Sequence, residues 1–522
     1  MSPLLLWTWI TDEVRHRYES GGQWTSRTWL DDLLDWHSAA PGDVAVIDGT
    51  TRCTVADVVD RARRVAGFLR ERGVGRGDVV SMIVPNWWEF TVVHAATAMV
   101  GAVVNPLLPS LGRADIAHIL TTGGAKVVFA AGSHRGSEVI AVVRAAVAEA
   151  GCAVTVVGIR SGDELDLECI LRAGTADERV DALAGDADSL LFTSGTEALP
   201  KGAVHTHQTS YYGLRTYLDE VLGLPCGSPV FMPSPICHAT GLQWGLRAAS
   251  HVRGALVLQD RWDPSVALDL VTGHGCAYTL AATPFIADLV AEQRRRGATG
   301  SPFTAIVSGG APIPRHLVSA CADVLGAPLL SVFGATETYV TTANRPGDPP
   351  ELLATDGCPL PGTELAIRPD GEITARGPHV FAGYLDPERT RAAFDGEWYR
   401  FGDLGTIDAS GALTVNGRIK DIVIRGGQNI AVREVEELLI RHSAVEEVAV
   451  VGYPDERLGE RCCAVVVAAP GPAPTLPGLV DYLLAQGIAR YKLPERLVLR
   501  EAMPRTATGK IRKAELRAAL GS

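Results

Sequence analysis

Several features that would announce a class of protein are missing from this chain of 522 residues. No stretch approaches the roughly 20 consecutive apolar residues that cross a bilayer, so no membrane span is expected. The apolar residues 4–10 form a short run without a basic lead and pass straight into Thr11-Asp12-Glu13-Val14-Arg15. Neither a secretory leader nor an anchor is expected there, and the expected location is cytoplasmic. The ten cysteines contain no CxxC pair, and Cys462 and Cys463 are adjacent, which argues against a disulfide framework and a cysteine-held zinc site. Basic residues are the minority, 48 against 60 acidic, and the net charge of −12 opposes non-specific binding to phosphate backbones, so nucleic acid is not an expected partner. What remains is ordinary for a globular protein, 47% hydrophobic and 21% charged, in a chain long enough for two or more domains and a cleft. Nothing in the sequence speaks to the oligomeric state.

From about residue 78 to 330, short apolar runs alternate with longer segments of helical period, the pattern of parallel strands joined by crossover helices. Residues 79–84, 127–131, 153–158, 190–192, 230–232, 255–258 and 305–308 read as buried strands. Residues 284–296 and 314–325 read as helices, each opened by a proline at the first helical position. After Gly357, Gly- and Pro-punctuated segments such as 362–367 and 371–375 suit an antiparallel or barrel-like subdomain. From about Asp421, strand-like 448–452 and 462–467 accompany helical 433–441 and 513–520, enough for a small α+β domain.

The strongest local signal is Thr193-Ser194-Gly195-Thr196-Glu197-Ala198-Leu199-Pro200-Lys201-Gly202, directly after a buried strand. Hydroxyls and the amides around a glycine donate hydrogen bonds to phosphate oxygens, and a lysine adds a point charge. A Walker A loop is excluded, because Lys201 is followed by Gly202 rather than Ser or Thr and the Gly-to-Lys spacing differs. Taken alone, the segment also reads as a polar strand-to-helix connection.

Four further strings accompany it in order: Phe333-Gly334-Ala335-Thr336-Glu337, Tyr399-Arg400-Phe401-Gly402-Asp403-Leu404, Gly417-Arg418-Ile419-Lys420-Asp421, and Pro504-Arg505-Thr506-Ala507-Thr508-Gly509-Lys510. Together the five resemble the motifs of the adenylate-forming superfamily of acyl-CoA synthetases, luciferases and peptide-synthetase adenylation domains. The resemblance implies an α/β fold: a large N-terminal domain, residues 1–419, of two doubly wound subdomains plus a small β-barrel, and a mobile α+β C-terminal domain, residues 420–522, hinged at Lys420. It also implies ATP, Mg2+ and coenzyme A as cofactor and co-substrates. The expected chemistry is activation of a carboxylic acid to an acyl-AMP, then transfer to the coenzyme A thiol.

The same resemblance assigns roles residue by residue. Thr193, Ser194, Thr196 and Lys201, with the amides of Gly195 and Gly202, hold the β- and γ-phosphates. Here the loop departs from the family pattern, since Glu197 and Ala198 replace Thr and Gly. Glu337 is the expected Mg2+ ligand together with Thr196, because a hard cation takes carboxylate oxygen; its alternative is an acid balancing a helix start. Thr336 reaches the α-phosphate. Gly309, Gly310 and Ala311 line the adenine edge and Phe333 its face, although a packed core phenylalanine is the plainer reading. Asp403 takes the ribose hydroxyls with help from Arg418, and His238 lies near the substrate carboxylate. His205 and His207 receive no role. Lys510 is the cation that bridges carboxylate and α-phosphate during adenylation, when two anions must approach.

Gly426 and Gly427 resemble the segment that acyl-CoA ligases place along the pantetheine chain, where glycine admits a thin ligand. Amino-acid-activating members of the family place an acid for the substrate ammonium in the segment that 233–245 resembles; this segment contains no Asp or Glu, so the resemblance implies an aryl, alicyclic or medium-chain acid rather than an amino acid. Two alternatives stay open: a stand-alone ligase that loads the phosphopantetheine of an acyl carrier protein, and an inactive nucleotide-binding regulatory protein.

Overall fold

Apolar runs without alternation are the signature of strands covered on both faces, and residues 79–83, buried throughout, sit at the centre of such a sheet. The computed structural model describes residues 4, 8–193, 200–310, 313–426, 428–505 and 511–520. The chain divides into two units, residues 1–364 with 375–399, and residues 365–374 with 400–522.

The first unit holds two sheets. In one, Ala187–Thr193, Val103–Pro106, Val79–Ile83, Ala125–Ala131 and Thr155–Ile159 run parallel, and Lys201–Thr206 and then Gly383–Tyr384 extend it antiparallel at one edge. In the other, Leu329–Phe333, Ala305–Gly309, Tyr278–Leu280, Val230–Met232, Leu256–Leu258 and Val44–Asp48 are parallel, with short antiparallel strands at both edges. Each strand expected between residues 79 and 308 is present within a few residues. The prolines need a correction. Pro284 is the second residue of helix Thr283–Arg295, and Pro314 stands just before helix Arg315–Ala320. Both remain compatible with proline because the first turn of a helix has amides without intrahelical partners. The second helix then continues as a π-helical turn, Cys321–Leu325, for which the sequence carries no period.

A buried charge network ties the elements of this unit together. Asp188, on the strand that leads to Thr193, accepts a hydrogen bond from Arg247 Nη2 at 2.9 Å and is ion-paired with Arg247 Nη1 at 2.6 Å, and both side chains are only 1% exposed. Ser210 Oγ–H donates to the same carboxylate at 2.8 Å, and His207 Nδ1 lies 3.4 Å from it. Burial works against ionisation of Asp188, but Arg247, with His207 and His94 nearby, outweighs it and holds the carboxyl well below its usual range. Arg247 itself comes from a second π-helical segment, Leu242–Arg247.

A second charged cluster pins helix Trp29–Ala39. His251 Nδ1 lies 2.8 Å from Asp32 and its Nε2 2.9 Å from Asp219. Burial favours neutral imidazole, yet the two carboxylates raise its pKa from 6.5 to about 9. A proton held more tightly in the fold stabilises it fully below the unfolded pKa, and that contribution is lost as pH rises through the folded one. Resistance to thermal unfolding is therefore expected to fall between about pH 6.5 and 9, by roughly 1.4 kcal/mol for each unit separating the two pKa values. His251→Gln should flatten this slope; an unchanged slope in that variant would remove His251 as its source.

In the second unit, strand Trp398–Ile407, from Arg400 onward, pairs antiparallel with Leu413–Arg418 and sets Asp403 directly opposite Arg418. Glu372, 3% exposed, takes the Arg400 guanidinium at 2.7 Å and the Gly402 amide at 3.1 Å. Further on, Val445–Asp455 and Gly459–Ala468 form a long antiparallel pair, which Val423–Arg425, Gln428–Ile430 and Arg496–Arg500 extend. Helices Val432–Leu439 and Leu476–Ala485 share one hydrophobic cluster with Cys462, and Lys513–Leu520 contributes Leu516 to another with Cys463. Successive strand residues face opposite sides, so the adjacent cysteines enter separate cores; all ten cysteines are free thiols. Among the described residues, no helix is long and apolar enough to cross a membrane.

Candidate active site

Thr193 ends its strand directly opposite Lys201, which begins the antiparallel return strand. The phosphate-loop residues Ser194, Gly195 and Thr196 lie between them, outside the described residues. Thr193 Oγ1 is buried with no hydrogen-bond partner among the described residues, an unmet requirement that a phosphate oxygen at this point would satisfy. Gly202 is closely packed: a Cβ there would meet Leu190 Cδ1 at 2.8 Å and Leu385 Cδ1 at 2.9 Å, so both leucines would have to shift.

Lys201 does not stand alone. Its Nζ lies 3.0 Å from Glu337 Oε1 and donates to the Tyr384 hydroxyl at 2.5 Å, and that hydroxyl donates to Glu337 Oε1 at 2.5 Å. The Glu337 side chain is 5% exposed, against 28% for Lys201. Burial raises the cost of the carboxylate, but Lys201 and Tyr384 overcome it and keep Glu337 below the ordinary range. Tyr384 is shifted the other way, held neutral by burial and by Tyr399 and Glu337.

Tyr384 was not anticipated from sequence. It reaches the site because Gly383–Tyr384 pairs with the strand that carries Lys201, Tyr384 opposite Ala203. His205, also unassigned, sits farther along that strand and donates from Nε2 to the Thr336 carbonyl at 2.8 Å, while its Nδ1 is 3.2 Å from Thr209 Oγ1. Full burial lowers its pKa to about 4, so it stays neutral and holds the Thr336–Glu337 segment as a hydrogen-bond donor rather than as a charge.

Gly309 and Phe333 end adjacent parallel strands, at the carboxyl edge where open α/β sheets receive ligands. A Cβ on Gly309 would come within 2.6 Å of the Val332 carbonyl, and Gly310 adopts φ +77°; both positions exclude larger side chains, the first by close approach and the second by backbone conformation. Phe333 is half-buried rather than a sealed core residue. Ala311 lies outside the described residues. His238, half-buried, caps the short turn Ala239–Gly241, its Nδ1 accepting from the Thr240 amide at 3.4 Å. The loop before it is held by Asn86, whose Oδ1 accepts from the Ile236 amide at 2.8 Å and whose Nδ2 donates to the Ser234 carbonyl at 3.1 Å. Asn86 is a second group that sequence reading missed.

In the second unit, Arg418 Nε donates to Asp403 Oδ1 at 3.0 Å, and Asp403 is 7% exposed while Arg418 is largely open. Lys420 is exposed in a short 3-10 turn, Ile419–Asp421. Gly426 starts the tight turn between Arg425 and Gln428 with φ +57°, a conformation that favours glycine. Gly427 and Lys510 lie outside the described residues.

The first unit therefore concentrates a buried carboxylate, an ammonium and an unpaired hydroxyl around one hairpin. Among the described residues, no cluster of three or more His, Cys, Asp or Glu side chains could hold a metal by itself. One carboxylate does fit Mg2+, which keeps several waters and binds through one or two carboxylates plus substrate phosphates.

A family model for AMP-binding enzymes matches residues 34–385, and a model for the AMP-binding enzyme C-terminal domain matches residues 434–510. The medium-chain fatty-acid–CoA ligase of Escherichia coli strain K12 is 34% identical over 528 residues, covering 97% of this chain and 93% of that protein. A salicylyl-CoA synthase / salicylate adenylyltransferase of a Streptomyces species is 33% identical over 534 residues, covering 97% and 96%. The crystal structure of ATP-bound MatB from Rhodopseudomonas palustris superposes with a TM-score of 0.85 at 27% identity, covering 95% of this chain and 99% of that one.

Proposed function

Since the chain belongs to the AMP-binding enzyme family, we propose that it is an AMP-forming acid–thiol ligase, activating a carboxylic acid with ATP and passing the acyl group to coenzyme A. The observation that carries this reading is Lys201 held 3.0 Å from a buried Glu337: a cation for phosphate and a hard ligand for a metal, at the mouth of one hairpin.

In the first half-reaction the substrate carboxylate oxygen attacks the α-phosphorus of ATP and pyrophosphate leaves. Lys201, the Thr193, Ser194 and Thr196 hydroxyls and the Gly195 and Gly202 amides hold the departing phosphates. Thr336 contacts the α-phosphate, and Lys510 offsets the charge of the two approaching anions. Mg2+, when bound, supplies further charge neutralisation, with Glu337 and Thr196 as its protein ligands. Gly309, Gly310, Ala311 and Phe333 receive adenine, Asp403 and Arg418 the ribose, and His238 the carboxylate end of the acid. In the second half-reaction the thiol attacks the acyl carbonyl and AMP leaves, with Gly426 and Gly427 admitting the pantetheine chain and Lys420 acting as hinge. The domain division assigned to this movement is 1–419 and 420–522.

The substrate is an aryl, alicyclic or medium-chain acid, because residues 233–245 carry no carboxylate for a substrate ammonium and an apolar tail gains roughly 25 cal/mol per Å2 buried. Pyrophosphate release across amino, aryl, alicyclic and fatty acids tests this. Release is expected with the last three, with acyl-CoA appearing when coenzyme A is supplied. A preference for amino acids would overturn the substrate class, and product formed only on a carrier protein would replace coenzyme A as acceptor.

A further inference from the structure

Lys201 and Glu337 are each assigned a ligand of opposite charge, yet they are bound to one another. Resting on the assignment of Lys201 to nucleotide phosphate and of Glu337 to the metal, we propose that their ion pair is a latch that makes nucleotide binding depend on a divalent cation. The Lys201 ammonium sits 3.0 Å from Glu337 Oε1, is anchored to the Tyr384 hydroxyl at 2.5 Å and lies 4.3 Å from the centre of the Tyr384 ring. An ATP polyphosphate without metal competes with Glu337 for the Lys201 charge and draws it away from the carboxylate. That leaves a carboxylate with 5% of its side chain exposed facing more negative charge, with the Tyr384 hydroxyl still donating to it but no cation beside it among the described residues. Stranding a buried carboxylate in this way is strongly unfavourable. A divalent cation arriving with the phosphates removes the penalty, because it takes the place of Lys201 at Glu337 at the moment Lys201 is released. Tyr384 keeps its hydrogen bond to Glu337 through the exchange, and so orients the carboxylate towards whichever cation is present.

The latch is reciprocal: freeing either partner should strengthen binding of the other's ligand alone. Calorimetric titration with ATP and no acid substrate, in EDTA or in excess Mg2+, reads one side. The native chain is expected to bind ATP roughly 100-fold more weakly in EDTA, and Glu337→Gln to bind metal-free ATP about tenfold more tightly than the native chain does. Paramagnetic resonance of Mn2+ without nucleotide reads the other side, and Lys201→Met is expected to bind Mn2+ about tenfold more tightly than the native chain. Equal native affinity for ATP with and without Mg2+ would overturn the latch. So would a folded Glu337→Gln with unchanged metal-free affinity, or a Lys201→Met with no gain for Mn2+. ATP binding that remains metal-independent leaves the adenylating function standing, whereas no ATP binding under either condition removes both.

Discussion

Replacing Lys510 with alanine is expected to abolish acid-dependent pyrophosphate exchange while leaving transfer from preformed acyl-AMP to coenzyme A largely active. Two anions, the substrate carboxylate and the α-phosphate, must come into bonding range in the first step, and their repulsion is greatest as the new bond forms. A cation placed there stabilises the transition state more than the separate reactants, so its removal appears in the rate of the first step. By analogy with the loss of a single oxyanion-hole donor, the effect is about 3 to 4 kcal/mol or more, a drop of several hundredfold. The second step has no approach of two anions, because a thiol attacks an already activated carbonyl. Near-native exchange in Lys510→Ala would refute the assignment, and equal loss of both steps would mean general damage to the C-terminal domain.

Arg247→Met is the substitution expected to cost most stability. It leaves Asp188, 1% exposed, without the guanidinium that meets both of its oxygens. Breaking such a pair typically costs about 3 to 5 kcal/mol, because the remaining charge has nowhere to be solvated. His207 does not replace the arginine: it lies 3.4 Å from Asp188 and burial lowers its own pKa. Removing the acid as well, in Arg247→Met with Asp188→Leu, should restore part of the loss, since well-packed apolar groups often substitute for a buried pair. Urea denaturation of the native chain and both variants measures these differences; a double variant no more stable than Arg247→Met would argue that Ser210 and the neighbouring hydrogen bonds, rather than the stranded charge, carry the cost.

The parallel strands were legible because burial on both faces leaves apolar runs such as 79–84, with little alternation to confuse them. Lys201 and Glu337 were legible because each stands inside a recognisable string. Tyr384 was not, because its partners lie 47 and 183 residues away and only the antiparallel pairing of Gly383–Tyr384 brings it to them. Asn86 was hidden for the same reason: its hydrogen bonds span 148 and 150 residues. The π-helical turns gave no warning, since one extra residue per turn leaves composition unchanged and blurs the period only locally. His205 received no role because nothing in the sequence sets it at a metal-ligand spacing, and only its depth and the Thr336 carbonyl reveal a neutral donor.

The second unit is built from two separate stretches, 365–374 and 400–522, so the polypeptide crosses the boundary three times, at 364/365, 374/375 and 399/400. No single scission divides the molecule into its parts. A fragment beginning at residue 400 would carry Arg400 and Gly402 without the Glu372 carboxylate that both contact. A fragment ending at residue 399 would keep that carboxylate and strand it. Gene fusions, split reporters and tethered halves that treat the C-terminal part as a detachable cassette would separate these partners wherever the break falls between residues 373 and 399, and a faithful excision has to carry the short internal stretch along with the tail.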